Sequence, residues 1–475
     1  MLTRRSFQSL RCIAATIVIV FLIGCFLAIG RITKEESKQD EQFKVHQAAL
    51  KDSLKIQQQA IELKDKLKAF EEARIDRKHD QHMDNNNIIF PIPKLENKLP
   101  PVPGIKPLPD AKLNKFNISA VPLPNYNVHI FYYPWYGNPK FDGRYVHWNH
   151  DRLKHWDKKI ASKFSTEGHV PPDDVGASFY PALGSYSSRD PYVIDQHMQQ
   201  MRIAGTGVLV LSWYPPNKYD DAGLPSDDLV PLLLNACHKY DLKLAFHSEP
   251  YKNRTELTFL NDLRYIVDTY GNHPALYKYH HKGVDLPLVY LYDSYLTSPR
   301  AWARILKKNT PMSIRNTNYD AVIIGLFVEQ KHNTELFTGG FDGFYTYFAS
   351  NLFTFGSHWN NWKFLSTTAK RNSMIFIPSV GPGYDDVAVR PWNAKNTQER
   401  RNGEYYKNAF TAAMNYSPPI ISITSFNEWH EGTQIESAVP KHTGKVKYLD
   451  YRPNKSNYYL DLTRQLVDKF SGWKR

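Results

Sequence analysis

Eight times between residues 127 and 470 the chain passes from a short apolar run to a stretch of helical period. The runs fall at 128–133, 207–213, 242–247, 288–292, 321–326, 343–347, 374–380 and 420–425. Helical patterns follow near 192–204, 227–240, 256–270, 299–308, 329–337, 359–371, 398–414 and 457–470. Short, nearly continuous apolar runs separated by helices are how parallel strands read when helices cover the sheet. Eight such units in succession predict a (β/α)8 TIM barrel with a long first loop. A doubly wound sheet would usually place a glycine-rich phosphate loop after its first strand. The chain has Tyr133-Pro134-Trp135-Tyr136-Gly137 there instead.

In a barrel of this kind the carboxyl ends of the strands carry the chemistry. Here those ends are rich in rings with polar neighbours. The first gives Tyr133, Trp135 and Tyr136, the second Trp213, the third His247 and Glu249, the fourth Tyr292, and the sixth Tyr347. The eighth runs directly into Ser425-Phe426-Asn427-Glu428-Trp429-His430-Glu431-Gly432. A pair of acids three residues apart is common on solvated helical faces and carries little meaning alone. Just beyond a buried barrel strand, Glu428 and Glu431 read as a general acid and base, with Asn427 and Trp429 beside them as binding groups. Glycosidic bonds are cleaved by such carboxylate pairs, and aromatic rings supply stacking surfaces for sugars. Any single tryptophan is more often core than platform; their concentration at strand ends is what argues for a sugar cleft.

Other chemistries lack their residues. His430-Glu431-Gly432-Thr433-Gln434 has no second histidine for a zinc protease helix, and no nucleophile elbow or P-loop occurs. There is no Asp-x-Asp to hold the metal of a nucleotide sugar. The formal charge is +13, but the basic residues are dispersed, which argues against nucleic acid as a partner. Cys12 and Cys25 lie in an N-terminal apolar run and leave Cys237 alone in the remainder, so an ordinary core must hold the domain together.

The first 110 residues read differently. Residues 1–11 carry Arg4, Arg5 and Arg11 and no acid, and 12–30 are uncharged and apolar. That length can just span a bilayer. The positive flank predicts a signal anchor with a cytoplasmic tail and everything after residue 31 on the luminal side. A cleaved signal peptide is the second choice, on a weak site at Ala28-Ile29-Gly30. Residues 31–110 form a stem: a charged stretch with Ile56, Ala60, Leu63, Leu67 and Phe70 at helical spacing, then seven prolines within 91–109. The barrel domain is expected over 111–475. Asn117-Ile118-Ser119, Asn253-Arg254-Thr255 and Asn454-Lys455-Ser456 fit the N-glycosylation pattern and agree with a luminal address.

From about His129 to Phe470 the chain resembles glycoside hydrolase family 99 in its animal members. The likeness rests on the segment 425–436, on Phe131-Tyr132-Tyr133, Ser178-Phe179-Tyr180-Pro181 and Leu211-Ser212-Trp213-Tyr214-Pro215-Pro216, and on Pro378-Ser379-Val380-Gly381-Pro382-Gly383-Tyr384. The resemblance implies a single-pass type II Golgi membrane enzyme acting on glucosylated high-mannose N-glycans. It would cut an internal α-1,2-mannosidic bond with retention and release a glucose-capped mannose oligosaccharide. It implies no cofactor and no catalytic metal. By motif match Glu428 would act on the substrate's own 2-hydroxyl and Glu431 would protonate the leaving oxygen, through a 1,2-anhydro sugar. The competing expectation is a membrane-tethered glycan-binding protein, which would not require both glutamates, or a family paralogue with shifted specificity.

Overall fold

The computed structural model describes residues 116–444 and 446–473. They belong to the second of two units, Pro101–Arg475; the expected tail, membrane anchor and stem lie outside the described residues. Among the described residues, no helix is long and apolar enough to cross a membrane.

The strands are β1 (Asn125–Tyr132), β2 (Thr206–Trp213), β3 (Lys243–Ser248), β4 (Lys278–His281), β5 (Val284–Leu291), β6 (Val322–Leu326), β7 (Gly343–Tyr345), β8 (Ile375–Ile377), β9 (Ser379–Val380) and β10 (Ile421–Ile423). Apart from β4, which pairs antiparallel with β5, all pairings are parallel. The sheet runs β8-β7-β6-β5-β3-β2-β1-β10-β9. Its two ends are the same piece of chain, since β8 and β9 are separated only by Pro378. Proline has no N–H to give a ladder, which breaks the strand there. The segment pairs with β7 before the proline and with β10 after it, and the Pro378 carbonyl accepts from Ser422 N at 3.1 Å. The result is a near-closed parallel barrel of the TIM type. The hairpin β4–β5 was not legible as such, because its solvent-facing residues carry no apolar run.

Eight longer helices surround the strands: α1 (Pro191–Ala204), α2 (Val230–Lys239), α3 (Glu256–Tyr270), α4 (Pro299–Leu306), α5 (His332–Gly339), α6 (Trp362–Arg371), α7 (Glu404–Met414) and α8 (Tyr458–Trp473). The limits of the first are written in the sequence. Helix α1 starts at the cap Asp190, whose carboxylate accepts from Tyr192 N at 2.9 Å, has Pro191 in its first turn and stops at Gly205 with φ 77°. One face, with Val193, Ile194, Met198 and Met201, is buried.

Register fixes which side chains point inward. Aligned residues of parallel strands share a face, so His129, Ser422 and Val208 face together, as do Phe131 and Val210, and His247, Ser212 and Tyr290. The barrel interior therefore mixes aliphatic side chains with aromatic and hydrogen-bonded ones. His129 Nδ1 meets Tyr290 OH at 2.7 Å, His247 Nε2 meets Tyr345 OH at 2.7 Å, and Phe131 packs against His247, Tyr290, Tyr345 and Tyr347. Pairing these polar atoms removes the penalty of burying them. At the start of β2, Gly207 lets β1 approach: a Cβ there would lie 2.4 Å from Asn125 O.

Candidate active site

The eighth barrel strand ends at Ile423, and the chain then makes a buried loop. Thr424 hydrogen-bonds the Tyr347 carbonyl through its hydroxyl and the Val380 carbonyl through its amide at 2.8 Å. The loop doubles back on itself: Ser425 N donates to Thr433 O at 3.0 Å and Glu436 N to Phe426 O at 3.0 Å. Phe426 N donates to Phe131 O at 2.9 Å, which stitches the loop to the end of β1. Gly432 has φ 59°, and a Cβ there would lie 2.6 Å from Asp385 O. A side chain would be strained and would push away the neighbouring loop. These bonds replace the solvated helical turn that an E-x-x-E pair suggests on its own.

The loop holds three glutamates with different fates. Glu436 is fully buried and fully engaged: it accepts from Tyr186 OH at 2.9 Å and Trp429 Nε1 at 3.0 Å and contacts His197 Nε2 at 3.1 Å. It is a fastening. Glu428 is 2% exposed; its Oε2 accepts from Glu431 N at 2.8 Å, while its Oε1 is buried with no hydrogen-bond partner among the described residues. A buried carboxylate oxygen left unpaired is costly, and such exceptions concentrate where a ligand completes them. The Glu431 side chain is 22% exposed, and its Oε1 lies 4.0 Å from Arg390 Nη1.

Burial raises the pKa of both. For Glu428 the rise is large, and the neighbouring Glu431 charge adds to it; the amides of Glu431 and His430 and the Arg390 charge oppose it. Glu431 is pushed up to about 7 by burial, with Arg390 pulling down and Asp386 pushing up. Two desolvated carboxylates so close resist double ionisation, so the pair keeps a proton near neutrality. One member can donate a proton while the other accepts one.

Arg390 and Asp386 were missed by sequence reasoning. They sit in the loop after β9, where Arg390 Nη1 donates to Asp386 Oδ2 at 3.1 Å, Tyr384 OH to the same oxygen at 2.9 Å and Asn393 Nδ2 at 2.9 Å. Asp385 N donates to Glu431 O at 2.8 Å, which ties this loop to the glutamate loop. The available signal was the acid–arginine pair at four-residue spacing, just beyond the seventh strand end.

The predicted binding residues divide. Trp135 and Tyr292 are half-buried and offer ring surface. Trp135 stacks on His147 at 4.8 Å and lies 4.6 Å from Tyr133. Tyr292 meets Tyr347 at 5.1 Å and His247 at 5.2 Å. The Tyr133 and Tyr347 hydroxyls hydrogen-bond each other. Glu249 accepts from Ser212 Oγ at 2.8 Å and contacts His247 Nδ1 at 3.0 Å, which places it with this group. The Glu428 and Glu431 charges both act on Tyr133 and Tyr347, and Glu431 acts on Tyr292. These residues are one constellation.

Four others are scaffold. Trp213 has no exposed surface, points outward from the barrel against Phe246, and donates to Asp227 Oδ1 at 2.9 Å. The register makes this unavoidable, because Ser212 takes the inward position. It corrects the expectation of a sugar platform there. Asn427 is fully buried and clamps Tyr133 from both sides, accepting from its amide at 2.8 Å and donating to its carbonyl at 2.9 Å. Tyr136 OH donates to Asn427 O and accepts from Trp429 N, both at 3.0 Å. Trp429 itself is fully buried on Glu436. These three hold the loop that presents the glutamates. His430, noticed in the motif but given no role, also belongs here: its Nδ1 donates to Gly176 O at 2.7 Å, and burial with His150 and His147 nearby keeps the ring neutral. Its Nε2 therefore carries a bare lone pair in the wall of the site, without a partner among the described residues.

A paired acid and base at the carboxyl end of a near-closed parallel barrel, walled by rings, defines a sugar hydrolase. The comparisons agree. The profile of glycosyl hydrolase family 99 matches residues 122–472, and the chain belongs to that family. It is 55% identical over 365 residues to a glycoprotein endo-alpha-1,2-mannosidase of Xenopus laevis, covering 77% of this chain and 81% of the relative. It is also 55% identical over 345 residues to a glycoprotein endo-alpha-1,2-mannosidase-like protein of Homo sapiens, covering 72% and 76%. Among solved structures it resembles the GH99 endo-alpha-mannosidase of Bacteroides thetaiotaomicron, with TM-score 0.68 and 41% identity over 74% of this chain and 99% of that one.

Proposed function

We propose that the chain is a retaining endo-α-1,2-mannosidase that trims glucosylated high-mannose N-glycans. The observation that carries this is the Glu428–Glu431 pair: one carboxylate with an unpaired buried oxygen, the other beside a cation and open to the cleft. Membership of the family and the names of the relatives supply the substrate class.

In an α-mannoside the 2-hydroxyl and the anomeric leaving group are both axial, on opposite faces. The 2-oxygen can therefore attack the anomeric carbon from behind. Glu428 takes the 2-hydroxyl proton as the new C–O bond forms. Glu431 gives its proton to the departing glycosidic oxygen as the old bond breaks. The product of this half is a 1,2-anhydro sugar, with Glu428 protonated and Glu431 ionised. Glu431 then takes a proton from water, the hydroxyl adds to the anomeric carbon, and Glu428 returns its proton to the 2-oxygen. Two inversions give net retention, and no bond to the enzyme forms, unlike the common retaining route.

The apolar run 12–30 with its basic flank supports a type II anchor and a Golgi-lumenal domain as part of the same reading. Digestion of the domain by protease in sealed microsomes, without detergent, would overturn that orientation. The activity is tested by incubating the domain with glucosylated and unglucosylated high-mannose glycans. Release of a glucose-capped mannose oligosaccharide from the first is the expected result. A protein that binds the glycan and releases nothing is a lectin, and the proposal fails.

A further inference from the structure

Two segments that wall the site continue past it into a cluster of rings at the surface. In the long first loop His150 packs on His430 at 4.9 Å, and His155 and Trp156 follow a few residues on. In the loop after β9, Arg390, 4.0 Å from Glu431, is followed by Trp392. The segments are tied together: Leu153 N donates to Val389 O at 2.8 Å and Trp392 Nε1 to Leu153 O at 3.0 Å. His155 stacks on Trp156 at 3.7 Å and 23°. The Trp392 ring stands nearly upright against both, 4.9 Å from His155 and 5.4 Å from Trp156.

Trp156 is 39% exposed and Leu153 41%. Leaving such surface in water is unfavourable, and contiguous exposed apolar surface marks interaction sites. The cluster is also preorganised: edge-to-face contact and the Trp392 hydrogen bond fix ring faces without burying them. Rings held open suit the C–H faces of pyranoses.

We propose that His155, Trp156 and Trp392 form an outer platform for the high-mannose glycan on the leaving-group side of the scissile bond. The inference rests on the functional reading above. Glu431 there protonates the leaving oxygen, so the wall it shares with Arg390 lies on the side of the departing chain. Trp392 prolongs that wall, and the ring cluster is continuous with it.

The test compares two substrates with wild type and Trp156→Ala, chosen because the Trp156 ring makes no side-chain hydrogen bond among the described residues. One substrate is a complete glucosylated high-mannose N-glycan. The other is a glucosyl-mannose with a small aryl leaving group, too short to reach the cluster. For the complete glycan kcat/KM should fall about tenfold, mainly through KM, the scale of losing one ring contact. For the aryl substrate it should stay within about twofold, since no transition-state contact is removed. Equal values on the complete glycan, or equal losses on both substrates, overturn the platform. Calorimetric binding of the truncated glycan left after cleavage decides the same question without turnover: about tenfold weaker binding in Trp156→Ala supports it, and unchanged affinity sinks it. Wild type that cleaves neither substrate, yet binds the truncated glycan through Trp156, would remove the endo-mannosidase reading and leave the platform standing.

Discussion

The backbone amide of Glu431 donates to the carboxylate of Glu428 at 2.8 Å. Each residue of the pair thus helps to place the other. The main chain of Glu431 fixes one oxygen of Glu428 and leaves the second, Oε1, bare. The three-residue spacing works because the loop turns sharply at Gly432 and is pinned by Ser425 Oγ, which accepts from Glu428 N at 2.8 Å.

This geometry predicts that Glu428→Gln keeps the loop and loses the chemistry. The amide oxygen of glutamine can accept the same bond but cannot take a proton from a hydroxyl. The expected loss in kcat is on the order of 100-fold or more, the usual scale for a missing acid or base, and Glu431→Gln should lose as much. Circular dichroism and glycan binding should match wild type. In the wild-type reaction, NMR of the first-formed product should show the α anomer, and quenched enzyme should show unmodified Glu428 by mass spectrometry. A β product or a glycosyl ester would end the internal-nucleophile mechanism.

The same site predicts a stability cost for function. The folded state raises the Glu431 pKa from the ordinary carboxylate range to about 7, chiefly by burial. Between those two values folded Glu431 holds a proton that the unfolded chain has lost, so its contribution to stability falls as pH rises through this window and levels off above about pH 7. Glu431→Gln removes that slope. Its stability should approach or fall below that of wild type near pH 4 and exceed it by on the order of 1–3 kcal/mol above pH 7. Urea unfolding at several pH values measures this. A constant difference across the series would show that the proton on Glu431 has no bearing on stability.

Arg390 opposes that rise. Its cation favours the ionised form of Glu431, so removing it should raise the glutamate's pKa further. Arg390→Met is expected to move the alkaline limb of the kcat/KM–pH profile upward from about 7, while lowering the maximal rate through disorder in the Asp386 loop. An alkaline limb unmoved or shifted downward would place the titrating acid elsewhere.

Legibility followed the physics of each element. The barrel strands and helices could be read because strands covered by helices, such as Val208 to Leu211 in β2, are continuously apolar, and helices such as α1 carry caps at both ends. Glu428 and Glu431 were readable because a strand led straight into them. What sequence could not give was facing. Ser212 and Trp213 are adjacent, and only the barrel register sends the serine inward and the tryptophan out. Asn427 and Trp429 have the right chemistry for sugar but are consumed by Tyr133 and Glu436. Arg390 and Asp386 went unread because their importance comes from a loop that meets the glutamates only in space.

That division of rings gives the last prediction, a contrast between two tryptophans. Trp213 is wholly buried on the outer face of the barrel, packed on Phe246, with its indole N–H on Asp227. Truncation would open a large cavity and remove one of the three donors to this buried carboxylate, leaving it to the Tyr265 and Tyr270 hydroxyls. Trp213→Ala should therefore cost about 3–5 kcal/mol of folding stability, the range for deleting a large buried ring. Trp135 is half-buried at the cleft and stacked on His147, with its indole N–H turned inward beside Tyr136. The part of the ring left open at the cleft is a surface on which a pyranose can pack. Trp135→Ala should shift the unfolding midpoint little and raise KM for the glycan about tenfold or more, as loss of a binding contact does. Chemical denaturation and steady-state kinetics on both variants separate the roles. If Trp213→Ala folds normally and only KM rises, the outward register of β2 is wrong and Trp213 belongs with the sugar platforms.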